Sequence, residues 1–93
     1  MPDPVLSIVH EGNAFLAHLD GAPVGRLAYR RQAAVVDAYT TFVEPSARRH
    51  GVALHLVQAL VDWVRAEDLK VDPTCWYVAK VMQADDGMRA LVA

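Results

Sequence analysis

At 93 residues the chain has room for one hydrophobic core and no second domain, single domains falling mostly at about 50–250 residues, so one domain over 1–93 is expected. A composition of 54% hydrophobic against 22% charged residues excludes disorder, which needs low hydrophobicity and high net charge. The formal net charge of −2 gives no general attraction to nucleic acid, so an anion must be held by a local cluster. One cysteine, Cys75, excludes an intramolecular disulfide and a cysteine-built zinc cage. It fits a reducing compartment and makes the cytoplasm the expected location. The first residues, MPDPVLSIVHEG, lack a basic stretch followed by a long apolar one, and no apolar run approaches the roughly 18 residues of a membrane span. No membrane association is expected.

Residues Val5 to Val43 read as short extended segments, with β-branched and aromatic residues alternating with polar ones. Val5–His10 is closed by Glu11-Gly12-Asn13, and Ala14–Leu19 by Asp20-Gly21, a pair favoured where both turn residues need positive φ. Pro23–Arg30 and Ala34–Val43 complete a meander of four antiparallel strands. In the fourth, strict alternation puts Val35, Asp37, Tyr39, Thr41 and Val43 on one face, and Val36, Ala38, Thr40 and Phe42 on the other. Both faces are nearly apolar, as in a central strand. Pro45 cannot donate to a ladder and stops that strand.

A helix is expected from about His50 to Glu67, with a narrow polar stripe of His55, Gln58, Asp62 and Arg65 and apolar residues around the rest. Such a helix must lie against a sheet. Leu69–Val71 is a short strand ended by Pro73, and a right-handed crossover makes it parallel to the fourth strand. Cys75–Met82 reads as a second helix with Thr74 as its N-cap, and a last helical turn falls near Met88–Val92. The fold class is therefore mixed α/β (α+β): a meander, a helix, a parallel strand and a C-terminal helix.

The segment Arg48-Arg49-His50-Gly51-Val52-Ala53 stands where a strand ends and a long helix begins. Backbone N–H groups there lack intrahelical acceptors, the helix dipole favours an anion, and Gly51 permits close approach of a phosphate. Arg48, Arg49 and His50 add side-chain charge. The bland alternative is a pair of solvated arginines at a helix start, and spacing alone does not separate the two.

The stretch Val43 to Ala53 resembles the coenzyme A signature of the GCN5-related N-acetyltransferases, Arg/Gln-x-x-Gly-x-Gly/Ala, with Arg48, Gly51 and Ala53 at its three fixed positions. Leu69 to Val78 resembles the strand, proline, cysteine and aromatic run of the shortest branch of that superfamily, whose members are about this size. Arg49 stands where that branch usually has glycine, and Thr40 where it usually has histidine. The resemblance implies an acetyl-coenzyme A thioester as cofactor and an amine acceptor of unidentified class. It also implies that backbone groups of Thr41, Phe42 and Val43 pair with the pantetheine arm, while N–H groups of Arg49, His50, Gly51, Val52, Ala53 and Leu54 hold the pyrophosphate.

Cys75, in the first turn of a helix, is the candidate catalytic residue, because that position lowers a thiol's pKa and makes thiolate available to attack a thioester. The alternative is a small buried hydrophobe beside Val71, Trp76 and Val78. Tyr77 is a lesser candidate for protonating a leaving thiolate. The four histidines are scattered, and none has the spacing of a zinc site. Asp85-Asp86 before Gly87 reads as a solvated cap. An acetyltransferase and a non-catalytic acyl-coenzyme A or partner-binding module on the same fold both fit this pattern.

Overall fold

The computed structural model describes residues 3–93, and its five strands stand side by side in chain order. β1 (Leu6–Glu11), β2 (Ala14–Leu19), β3 (Ala22–Gln32) and β4 (Val35–Val43) are antiparallel, and β5 (Lys70–Asp72) lies parallel to β4. Asp20 and Gly21 have φ of 50° and 84°, the two positive values that their turn demands.

A 3-10 helix, Pro45–His50, follows β4, and Gly51 with φ 65° turns the chain into α1 (Val52–Ala66). The helix expected from His50 thus starts later, because Pro45 at the head of the connection supports a separate helical turn. His55, Gln58, Asp62 and Arg65 are all exposed, as the periodicity requires. Leu56, Val57, Leu60, Val61 and Val64 are buried, forming one cluster with Phe15, Ala17, Leu27, Val36 and Ala38 of the sheet. Leu54, grouped with the apolar positions by its sequence neighbours, stays 39% exposed.

After β5 come α2 (Trp76–Gln83) and α3 (Asp86–Arg89). Val78 and Met82 carry α2 into the same cluster, so both long helices cover one side of the sheet. Thr74 does not cap α2: its hydroxyl donates to Asp37 Oδ1, and Cys75 takes the cap position without a side-chain hydrogen bond. Asp85 does cap α3, accepting from Met88 N at 3.0 Å. The final turn expected near Met88–Val92 starts earlier, and Val92 instead bridges Val71 on the outer edge of β5. No helix among the described residues is long and apolar enough to cross a membrane.

Two features of β4 position everything that follows. The register against β3 slips between Ala28 and Tyr29, so that Ala28 faces Thr40 and Tyr29 faces Ala38, leaving Tyr39 as an extra residue. Such a bulge reverses the alternation. Val36, Ala38, Thr41 and Val43 therefore face the helices while Asp37, Thr40 and Phe42 face away, which corrects the two faces expected from strict alternation. Phe42 is 48% exposed and Val43 only 7%. The second feature is that pairing with β5 ends at Asp37 and Asp72, because Pro73 has no N–H to continue the ladder. One more bond, Cys75 N to Ala38 O at 2.8 Å, closes the join. Beyond it, no strand among the described residues pairs with the β5-side edge of β4.

Gly25 lets the start of α1 approach β3 and β4. A Cβ there would meet Phe42 O at 2.9 Å, Val52 Cγ1 at 3.2 Å and Val43 Cγ2 at 3.3 Å. Gly25→Ala is expected to destabilise the protein by about 1–3 kcal/mol, seen as a lower midpoint in urea unfolding. An unchanged midpoint would contradict this close packing.

Candidate functional site

Where β4 and α2 diverge, a cleft of about 400 Å³ opens, lined by Thr41, Phe42 and Val43 on one side and by Cys75, Trp76 and Tyr77 on the other. Arg48, Gly51, Ala53 and Leu54 close its end. Three separate elements thus converge because β5 stops short: the free edge of β4, the N-terminus of α1 and the N-terminus of α2.

The α1 end has the chemistry of an anion site. The N–H groups of Val52, Ala53 and Leu54 precede the first α-helical hydrogen bond, His55 N to Gly51 O at 3.1 Å, and such groups point at whatever lies beyond the helix. His55 Nδ1 also lies 2.8 Å from Gly51 O. A carbonyl only accepts, so this nitrogen carries the proton. Arg48 Nε donates to Val43 O at 3.3 Å, tying the end of β4 to the turn. Gly51 at positive φ is the one residue type that holds this turn without strain.

At the opposite end, Cys75 is 9% exposed. Its Sγ lies 3.5 Å from Thr41 Oγ1, a contact that exists only because the bulge turns Thr41 towards the helices. Burial pushes the thiol's pKa up, but the backbone of Val78, the Thr41 hydroxyl and the backbone of Tyr77 favour the thiolate, and the net result lies below the ordinary thiol value. Burial raises the pKa of Tyr77, so its phenol keeps its proton at neutral pH.

Of the residues singled out from sequence, Thr41, Phe42, Val43, Arg48, Gly51, Ala53, Leu54 and Cys75 line this one cleft. Arg49 and His50 are exposed on the 3-10 helix outside that lining, and the Val52 side chain is fully buried, leaving only its backbone to face a ligand. The sequence presents Trp76 as an apolar neighbour of Cys75, yet it is 73% exposed at the mouth. Helical spacing holds the missed signal: Trp76, Lys80 and Gln83 follow 4-3 spacing and form the exposed face of α2.

Alkylation of Cys75 by iodoacetamide reads the thiolate directly. The rate is expected to rise with pH around a midpoint below that of a free model thiol alkylated under the same conditions, and a midpoint at or above the model thiol's would contradict the depressed pKa.

Residues 14–91 match the sequence profile of the GCN5-related N-acetyl-transferase family. Among curated proteins, the chain is 43% identical over 49 residues to Protein NATD1 of Homo sapiens, which is 53% of this chain and 43% of that protein. The Gallus gallus form of NATD1 matches at 43% over 49 residues, 44% of its length. The matched stretch thus spans less than half of these relatives. Among solved structures, a GCN5-like putative N-acetyltransferase from Staphylococcus aureus superposes with a TM-score of 0.75 at 20% identity, covering 95% of this chain and 88% of that one. AAC(6')-Iy, in complex with the bisubstrate analog CoA-S-monomethyl-acetylneamine, superposes with a TM-score of 0.55 at 27% identity over 76% of this chain and 58% of its own.

Proposed function

The chain belongs to the GCN5-related N-acetyltransferase family, and from that premise we propose that it binds acetyl-coenzyme A in the cleft between β4 and α2 and transfers the acetyl group to an amine. The observation that carries this reading is the convergence of the free β4 edge, the α1 N-terminus and the Cys75 thiol on one cleft. An extended pantetheine arm has amide groups that pair with an unpaired strand edge, as a fifth strand would. Its pyrophosphate meets the N–H groups of Gly51–Leu54 and the Arg48 guanidinium, and its thioester then reaches Cys75. The solved AAC(6')-Iy complex, in which a coenzyme A analog is bound, supports the same class of cofactor here.

In the covalent route, the Cys75 thiolate attacks the thioester carbonyl, the carbon–sulfur bond to coenzyme A breaks, and the Tyr77 phenol protonates the departing thiolate. A neutral amine then attacks the acetyl-Cys75 thioester, expelling the Cys75 thiolate, and the proton it loses as the amide forms returns to the Tyr77 phenolate, restoring both groups. In the direct route, the amine attacks bound acetyl-coenzyme A and Cys75 only walls the pocket. Cys75→Ala separates the two. The relay predicts a loss of at least ~100-fold in kcat/KM with cofactor affinity kept, and full activity in the variant excludes it.

A second reading, a binding module without turnover, is favoured by one observation: the cleft lining contains no carboxylate or imidazole to take a proton from an ammonium. Both readings require the cofactor. Calorimetric titration with acetyl-coenzyme A is expected to show micromolar binding that Gly51→Glu abolishes, since the new carboxylate repels the diphosphate and strains a residue at φ 65°. Absence of binding by folded wild-type protein would overturn both.

A further inference from the structure

The start of α2 supplies one wall of the cleft, through Cys75, Trp76 and Tyr77, yet little of α2 itself fixes that end. The helix has eight residues, its buried anchors are Val78 and Met82, and its cap position makes no side-chain hydrogen bond. Trp76 in the first turn is exposed. What holds this turn comes from the sheet. Cys75 N donates to Ala38 O at 2.8 Å, and one residue earlier the Thr74 hydroxyl donates to Asp37 Oδ1. Two consecutive residues of the connection are thus bonded to two consecutive residues of β4, at the point where β4 and β5 part. Thr74 N also donates to Asp72 O at 3.0 Å, which tightens the connection against the end of β5.

The side-chain half of this latch stands where the sheet gains nothing from a carboxylate. Asp37 lies directly across the ladder from Asp72, and like charges facing each other across strands are destabilising. Arg30 is its partner on the β3 side, but that guanidinium stands over the Tyr39 ring, 4.5 Å from its centroid. Among the described residues no ion pair includes Asp37, and the side-chain hydrogen bond it accepts comes from Thr74. A charge that weakens the ladder while gripping the entrance to α2 breaks a local rule of sheet building, and such breaks gather at functional sites.

Resting on the reading of the cleft as an acyl-coenzyme A site, we propose that Asp37 and Thr74 are positioning residues, whose hydrogen bond locks the first turn of α2 against β4 and so holds the Cys75 thiol at Thr41. Neither residue lines the cleft; both act through Cys75. The thiol is sensitive to this turn because its Sγ meets Thr41 Oγ1 at 3.5 Å, a contact made between two elements that only the latch and one backbone bond tie together there. A displacement of about 1 Å at a reacting group can cost roughly 100-fold in rate. The anion site is built on Gly51 and the start of α1, away from the latch, so losing the latch moves the thiol and leaves that site in place.

Four variants of the full chain test this. Thr74→Val and Asp37→Ala remove the bond, whereas Thr74→Ser keeps its donor and Asp37→Asn its acceptor. Each is read by the pH midpoint of Cys75 alkylation, by the exchange rate of the Cys75 amide in NMR, by the urea unfolding midpoint and by coenzyme A affinity in calorimetry. In Thr74→Val and Asp37→Ala the alkylation midpoint is expected to move up towards that of a free model thiol, and the Cys75 amide to exchange about tenfold faster. Asp37→Ala is expected to do so with a urea midpoint at or above that of the wild type, since the charge facing Asp72 is gone. Thr74→Ser and Asp37→Asn restore the wild-type thiol and amide values, and the double variant Thr74→Val with Asp37→Ala matches the single ones, because both remove the same bond. Wild-type values in Thr74→Val or Asp37→Ala would overturn the proposal, as would changes that only track a lowered urea midpoint or that Thr74→Ser and Asp37→Asn fail to restore. Coenzyme A affinity separates the two readings: folded wild-type protein that binds none rejects the cofactor site, while the thiol and amide values still decide whether the latch positions Cys75.

Discussion

The site depends on the early end of one ladder. β5 pairs with β4 only as far as Asp37 and Asp72, since Pro73 offers no N–H, and the Cys75 N to Ala38 O bond is the last link between them. Had β5 continued, β4 would be paired on both edges from Val35 to Val43 and no cleft would exist. Because it stops, a central strand carries an exposed edge along half its length. Exposed edges are liabilities that proteins usually cover or blunt, and one left open beside a helix N-terminus and the Cys75 thiol suits a ligand-binding role.

The bulge at Tyr39 is the second determinant, and it shows where a sequence pattern stops being informative. The strands, their turns, the long helix and the parallel β5 were legible from alternation, from Asp20-Gly21 and from Pro45 and Pro73, because each rests on local backbone chemistry. The bulge is a register event between two strands. No residue of β4 marks it, so strict alternation assigned Thr41 and Phe42 to the wrong sides. The hydroxyl of Thr74 was likewise misread as a helix cap, because its partner Asp37 lies 37 positions away in the chain. The end of the cleft was legible as far as Arg48, Gly51 and Ala53, which the structure brings together in its lining. The charged row on the bare face was not, since Arg30, Asp37 and Asp72 become neighbours only through pairing.

One side of the sheet is packed by α1 and α2, and the other is left with Val9, Tyr39 and Phe42 more than a third exposed. This asymmetry gives the two sides of the sheet different characters. The cleft on the helix side is bounded by backbone amides, a strand edge and apolar side chains, which suit a long ligand with a diphosphate. The bare side carries a shallow hollow bounded by Arg30, Asp37 and Asp72.

The central claim is that the free edge of β4 and the start of α1 form a single binding surface. Amide hydrogen exchange followed by NMR, with and without coenzyme A, tests it most directly. Slowed exchange or shifted resonances at Thr41–Val43 together with Gly51–Leu54 are the result predicted. Changes confined to one of these segments, or found only elsewhere in the chain, would contradict it.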